Sequence, residues 1–480
     1  MGHRKQFEVS STRVERTRAS NEPDAADKTA PILLVREHPP FLLNGPTSTL
    51  CLKDVEDLLS ERQRQELVRL FFRFVQPAFP VLRDYAANAD SDQENIPEPS
   101  CTSLSLSICI YATALPFSIH NDYLNATLTD AHGKREKLYS MAVDAILQEL
   151  NSPTLETLQA CLLLLQKGPT TQHQGLTPTY SCFSSLAVTI AKSLGLQHDC
   201  STWNISPTEK QLRHRLWWAT FVHDMWISVD TPGGRAINFQ DYDVQLPNSQ
   251  YGVREAVHDR TNHSHFDCLA TLTHLLSQIY ETYFTIRASK DMSGDLFRSL
   301  EFAKPLRSAL NECKQRLKVV MPLTGGGEPG ASGSVILASC VTEIILFRAL
   351  LRPIRSGFST EALFKDSQMS AAAAVLTGSI NCAKETVELL ETMVSMVGPW
   401  TEFWHSWSQG NFAIVSTFLV QLNMMSDTDS RKAEIADLIS RWKRAIRIGA
   451  GSGGWGSSLM SMALSRLDAL LVPASSAKGP

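Results

Sequence analysis

Apolar residues recur along this chain at helical spacing. Phe183, Leu186, Ala187, Ile190, Ala191 and Leu194 fall at i, i+3, i+4, i+7, i+8 and i+11, the stripe of an amphipathic helix, and Gly195 follows as a C-terminal glycine would. Leu155, Leu158, Cys161, Leu162 and Leu165 repeat the spacing. So do Ile336, Cys340, Ile344, Phe347 and Leu351, after which Pro353, lacking an N–H, is expected to stop the helix. Alternation of period two bounded by turn pairs is scarce, so the pattern predicts an all-α fold with few strands. Breaks fall at 90–100, 167–178, 232–250, 322–333 and 449–456, dividing helices rather than domains.

Residues 1–30 carry Arg, Ser, Asp and Ala with almost no apolar periodicity, which predicts a disordered N-terminal arm. Arg13, Arg16 and Arg18 read as a solvated tail, with nuclear import as the alternative. The expected organisation is a basic or polar arm and linker over 1–50 and a multi-helix domain over 51–475. Its length suits one large domain or two merged ones.

Composition adds exclusions. With 45 Lys plus Arg against 49 Asp plus Glu the formal charge is -4, so the chain as a whole has no electrostatic footprint for nucleic acid. The start, MGHRKQFEVSSTRVERTRAS, has no apolar core of the kind a secretory signal needs, and the longest apolar stretches, around Leu162–Leu165 and Phe412–Met425, read as too short or interrupted to cross a bilayer. Ten cysteines, at 51, 101, 109, 161, 182, 200, 268, 313, 340 and 382, are scattered singly and read as reduced core residues.

Catalytic signatures are sparse. Gly449, Gly451 and Gly454 match Gly-x-Gly-x-x-Gly, but the preceding IADLISRWKRAIRI reads as a helix, whereas dinucleotide binding needs a strand feeding the turn. His263, His265 and Cys268 have metal-like spacing and read as the start of a solvated helix. No phosphate loop, His-Glu-x-x-His or Gly-x-Ser-x-Gly elbow occurs, and the expectation is a non-enzymatic protein.

The richest constellation is Arg213, Arg215, Trp217, Trp218, Phe221, Asp224 and Trp226, followed by Arg235, Asp241 and Asp243. Trp217 lies four residues after Arg213, and Phe221 four after Trp217 and three after Trp218, so several share a helix face. Aromatics at that spacing read as core, with Asp224 and an Arg forming a buried or half-buried pair. The alternative is a small-molecule pocket lined by aromatics with a few placed charges.

This stretch, RHRLWWATFVHDMW followed by GGRAINFQDYDVQLP, resembles the most diagnostic part of the fungal-specific transcription factor domain, the middle homology region of zinc-cluster regulators. Other landmarks stand in family order: LVRLFFRFVQPAFPVL with Gln76, Pro77, Phe79 and Pro80; SPTLETLQACLLL with Leu158 and Gln159; and AVTIAKSLGLQHD with Leu194, Gly195, Leu196, Gln197 and His198. EIILFRALLRP and FWHSWSQGNFAIVSTFLVQL are similar to later helices of the family. The resemblance runs from about residue 65 to 470 and implies an all-helical regulatory domain downstream of a DNA-binding head. Met225 and Ala236 depart from it, standing where the family commonly has a basic residue and Pro.

No cysteine precedes Cys51, so the family's six-cysteine zinc cluster is not in this chain and no cofactor is expected in it. Either the gene model starts late, or this member acts through partners. The resemblance implies a nuclear regulator of RNA polymerase II transcription, pathway-specific, as for nutrient use or a secondary-metabolite gene cluster. Its expected partners are other transcription regulators or a second copy in a homodimer, with a small-molecule effector as a further candidate, DNA reached indirectly or through a missing head, and no membrane. Trp217, Trp218, Asp224, Arg235, Asp241 and Asp243 are the candidate regulatory centre. The alternative reading is a helical interaction scaffold without a DNA-directed role.

Overall fold

Short polar residues start the helices by accepting hydrogen bonds from otherwise unpaired first-turn amides. Ser60 and Gln63 form a reciprocal capping box, Thr154 and Thr157 form another, and Ser103, Asn121, Asp130 and Thr285 each cap a further helix. The computed structural model describes residues 8–9, 12–13, 51–83, 102–168, 177–231, 234–247, 264–320, 332–359, 366–396, 402–451 and 455–471. Sixteen α-helices run through them, so the fold is all-α as the periodicity predicted. The exception is an antiparallel pairing of Glu8–Val9 with Thr12–Arg13, inside the arm where no structure was expected. The rest of the arm, Arg16 and Arg18 included, lies outside the described residues.

Internal contacts divide the chain into two units, the first formed by 1–167, 179–224 and 235–254, the second by 168–178, 225–234 and 255–480. The first holds α1 (Leu52–Glu56), α2 (Glu61–Leu70), α3 (Leu104–Ala114), α4 (Asp122–Thr127), α5 (Ala131–Glu149), α6 (Leu155–Leu164), α7 (Pro178–Ser193) and α8 (Pro207–Asp230) up to Asp224. α2 widens into a π turn over Phe71–Val75. α3 is buried from Ser105 to Ala114 and packs on α2, α5 and α6. α7 ends as its sequence indicated. Gly195 has φ 73°, a left-handed conformation that favours glycine, while its N–H donates to the Lys192 carbonyl and that of Leu196 to Ala191.

The second unit takes the end of α8 and α9 (Ser264–Tyr283), α10 (Ile286–Met292), α11 (Leu296–Val320), α12 (Ser332–Ser359), α13 (Asp366–Ser395), α14 (Ser408–Met425), α15 (Asp429–Gly451) and α16 (Ser461–Leu471). Here α12 packs on α9, α11, α13 and α14. Pro353 does not stop it. The helix continues to Ser359, and Ile354, the residue after the proline, is buried, so core packing continues across the lost hydrogen bond. Gly333–Arg355 is long and apolar enough to cross a membrane by length and composition, a run the sequence reading missed, and 83% of its window is buried inside the protein, as in a core helix.

The cysteine expectation holds for Cys109, Cys161, Cys200, Cys268, Cys340 and Cys382, all buried and free. Cys51, which caps the start of α1, and Cys182 are instead exposed and Cys313 is half-buried; Cys101 lies outside the described residues.

Aromatic side chains fill the second unit. Trp226 stacks on Trp407 at 4.7 Å and 12°, Trp407 stacks on His405 at 4.9 Å and 10°, and the Trp226 Nε1–H donates to Thr273 Oγ1 at 3.0 Å. Gly333 leaves room for Trp404, whose Cζ2 would lie 2.5 Å from a Cβ at that position, with Met393 Cε at 2.9 Å. Gly333→Ala is therefore expected to lower unfolding free energy by about 1–3 kcal/mol through overpacking, read by urea denaturation followed on tryptophan fluorescence.

Candidate functional site

Helix α8 carries the candidate centre. Ser206 starts it, its Oγ accepting from the Glu209 N–H at 3.2 Å, and Pro207 occupies the first helical position, where no N–H is needed. Although Trp217, Trp218, Phe221, Val222 and Met225 are all fully buried, polar side chains on the same helix are buried with them. Thr220 bonds back to the Leu216 carbonyl of α8 itself, whereas Glu209, Arg213, Arg215, His223 and Asp224 reach partners outside the helix.

Glu209 accepts from Arg213 Nε at 3.1 Å and from Arg83 Nη2 at 2.7 Å. Arg213 also donates to the Leu194 carbonyl at 3.1 Å, satisfying the end of α7, and lies 5.7 Å over the Trp203 ring. Arg215 donates to the Leu82 carbonyl at 2.9 Å. Gln76 holds Leu82 from both sides, donating to its carbonyl at 2.9 Å and accepting its N–H at 3.2 Å, while Gln159 donates to the Val81 carbonyl at 2.6 Å. The Gln-Pro-x-Phe-Pro loop is thus fixed by three buried side chains.

The segment 234–247 lies along α8 with a 3-10 turn at Phe239–Asp241. Near its start the Asp224 carboxylate accepts the Ala236 N–H at 2.9 Å and the Ile237 N–H at 3.0 Å, one on each oxygen. Near its end the Gln245 carbonyl meets Trp218 Nε1 at 2.9 Å and His214 Nε2 at 2.8 Å, which requires the tautomer protonated at Nε2. Between them the Tyr242 ring lies 5.3 Å from Trp217, 5.8 Å from Phe221 and 6.2 Å from Trp218. Arg235 lies 5.4 Å over Phe221 and 5.7 Å over Phe239, with Nε 4.0 Å from Asp224 Oδ2. Burial pushes the Asp224 carboxyl up from its ordinary value, against the two amides and Arg235.

The structure brings Trp217, Trp218, Asp224 and Arg235 together. The two other carboxylates stand apart from that cluster. Asp241 is exposed, 3.6 Å from Lys192 Nζ, and Asp243 accepts the Asp199 N–H at 2.6 Å while donating its own N–H to the Gln197 carbonyl at 3.1 Å. The space on the aromatic face is taken by Tyr242 and Arg235, which favours core over pocket. A cavity beside it, lined by Leu196, Cys200, Arg213, His214 and Val244, has about 10 Å³, room for one water.

Sequence reasoning passed over His214, His223, Gln166 and Tyr242. His214 and Trp218 are four apart, a spacing that marks one face, but their shared target is distant in sequence. The segment with metal-like spacing, 263–268, is not the solvated helix start its sequence predicts. His263 lies outside the described residues, α9 does begin at Ser264, and Cys268 is buried rather than solvated, on a helix that packs against α11 and α12. Among the described residues no group of three His, Cys, Asp or Glu could hold a metal ion. Gly449 and Gly451 end helix α15 rather than follow a strand, and Gly454 lies outside the described residues.

Two outcomes are expected. Asp224→Ala orphans two amides and lowers stability by about 2–4 kcal/mol, whereas Asp224→Asn, keeping one acceptor, loses about half as much, both read by denaturant midpoint. His223 is fully buried between Gln166 at 2.5 Å, the Ala219 carbonyl at 2.9 Å and the Phe79 ring at 5.1 Å, and burial pushes its pKa down to about 4. The unfolded chain, near 6.5, takes that proton first. This contribution is therefore full above pH 6.5 and lost as pH falls toward 4, by at most about 3 kcal/mol. Denaturation at stepped pH should show a shallower acid loss in His223→Gln than in the wild type.

The fungal specific transcription factor domain matches residues 68–315, from α2 through α11 and including α8 with its clasped segment. The chain is 29% identical over 245 residues to an uncharacterized transcriptional regulatory protein of Schizosaccharomyces pombe, covering 49% of this chain and 35% of that protein. It is 22% identical over 433 residues to the transcriptional activator protein DAL81 of Saccharomyces cerevisiae, covering 80% of this chain and 42% of that protein. A shorter match, 30% over 172 residues, is to the transcriptional regulator AacuB of Aspergillus aculeatus, covering 35% of this chain and 22% of that protein. The chain thus spans less than half the length of each of these relatives. No solved structure matches it. With more than half its length matched by the domain, this chain belongs to the fungal-specific transcription factor domain family of transcription regulators.

Proposed function

We propose that this chain is the regulatory part of a pathway-specific, nuclear regulator of RNA polymerase II transcription, serving nutrient use or a secondary-metabolite gene cluster. The clasp of 234–247 on α8 carries the reading, since it lies inside the stretch matched by the family and is built from the residues that give the resemblance. In this reading Trp217, Trp218, Asp224 and Arg235 organise the regulatory centre, and Asp241 and Asp243 hold the outer edge of the segment. The relatives named as a transcriptional activator and as transcriptional regulators support the same class of role. The chain works on other regulators or on a second copy of itself, without catalysing a reaction. DNA is reached through a partner or through a zinc-cluster head encoded upstream, and a small-molecule effector is a candidate input.

Chromatin immunoprecipitation of an epitope-tagged protein, with and without the upstream gene region, tests the proposal. Discrete promoter peaks are expected. Peaks that need the upstream region indicate a head of its own, and peaks without it indicate recruitment. Exclusion from the nucleus with no peaks returns the protein to the scaffold reading. In the same cells Asp224→Ala should depress reporter output, and unchanged folding with unchanged output would remove the α8 clasp from the mechanism.

A further inference from the structure

A groove in the second unit lies outside 68–315, the stretch that the family match covers. Helices α13 and α15 pack on each other, and between them is a cavity of about 230 Å³, lined by Glu391, Val394 and Ser395 of α13 and by Arg444, Ala445 and Ile448 of α15. Its charged end involves two arginines and one carboxylate. Arg441 grips Glu391 with a planar fork, Nε to Oε1 at 3.1 Å and Nη2 to Oε2 at 2.6 Å, so both carboxylate oxygens are taken. Those bonds hold the Glu391 carboxyl below its ordinary value, and it stays ionised on Arg441. Arg444 Nη2 stands 3.6 Å from Glu391 Oε1, an ion-pair distance longer than a hydrogen bond. That attraction holds the Arg444 guanidinium beside the groove, while its side chain is 71% exposed and its N–H donors remain open to another acceptor.

The rest of the lining selects the kind of occupant. Val394, Ala445 and Ile448 are apolar, and Ile448 is 56% exposed, so a hydrocarbon laid over it removes apolar surface from water. Ser395 donates its hydroxyl to the Thr392 carbonyl at 2.7 Å and so brings the groove no further donor. One open guanidinium beside one carboxylate favours a monoanion over a phosphate-type dianion, whose second charge would face Glu391 without a cation of its own. Arg447, the next exposed cation on α15, does not line the groove. Among the described residues no aromatic ring lines it either, and its volume falls below the roughly 300–1,000 Å³ of sites for drug-sized ligands. The complement is small, aliphatic and singly negative.

We propose that this groove binds a small aliphatic carboxylate, its two oxygens on the Arg444 guanidinium and its hydrocarbon chain over Val394, Ala445 and Ile448. Arg441 is a positioning residue: by occupying both oxygens of Glu391 it leaves the Arg444 donors for the ligand. As the place of a small-molecule input the groove rests on the regulator reading, whereas the binding itself does not.

The test titrates hexanoate into the full chain labelled at isoleucine, valine and alanine methyl groups and follows methyl NMR signals. Those of Val394, Ala445 and Ile448 should move saturably, with a Kd of about 1 mM. The alcohol 1-hexanol, with the same chain and no charge, should bind about 10-fold more weakly. Arg444→Gln, at an exposed position, should weaken hexanoate by about 10-fold while the other methyl signals stay in place. Hexanoate that leaves the three methyls unmoved up to about 50 mM, or that binds no better than 1-hexanol, would overturn the proposal. The comparison of the two ligands on the wild type decides the matter even where the variant fails to fold. Because binding alone is read, that failure leaves promoter occupancy, and with it the regulator reading, untouched.

Discussion

An extended segment in an all-helical protein has no sheet to satisfy its backbone, and the clasp on α8 solves that problem with side chains. Asp224 offers two acceptors, and the amides of Ala236 and Ile237 supply the donors. His214 and Trp218 offer two donors, and the Gln245 carbonyl accepts both. Because the acceptor stands at one end of the helix face and the donors at the other, the segment can run in only one direction with its polar groups satisfied. Reversing it would place carbonyls against a carboxylate and amides against N–H groups, each a buried mismatch costing on the order of 1–3 kcal/mol.

The same requirement accounts for the other buried polar residues of the first unit. Non-helical backbone at Val81 and Leu82 is held by Gln159, Gln76 and Arg215, and the buried C-terminal end of α7 at Leu194 is held by Arg213. Glutamine and arginine suit these places because they donate from a long stem, reaching a carbonyl while their carbons stay in the apolar interior. Arg213 is further balanced by Glu209, so the charge that serves α7 is not left alone in a low-dielectric site.

Helix identity was legible because burial of a stripe forces period 3.6, as in α6 and α7, and Gly195 was legible because the left-handed turn it makes favours glycine. Pro353 misled for a related reason. A proline removes one backbone hydrogen bond, but packing on both sides of it, with Leu351 and Ile354 buried, offsets that loss, a tertiary effect no local rule contains. In the candidate centre, the aromatics and Asp224 were visible as a helix face, whereas Tyr242, His223 and the Gln166 contact join residues whose proximity depends on the folded path of the chain. Asp241 and Asp243 were grouped with the centre by sequence nearness. Their side chains leave the segment on its other edge and serve Lys192 and Asp199 instead.

The departures from the family pattern explain each other. Met225, in the place where the family commonly carries a basic residue, is fully buried, and a cation there would need a partner of its own within the core. Asp224 therefore draws its support from elsewhere. Ala236, in the place of the common proline, has the N–H that a proline lacks, and that N–H is one of the two bound to the carboxylate. Arg235 adds its charge at 4.0 Å from the same group. Burial still raises the Asp224 carboxyl despite these three contributions, so the loss of the Ala236 donor would tilt the group further toward its neutral form and weaken its hold on Ile237.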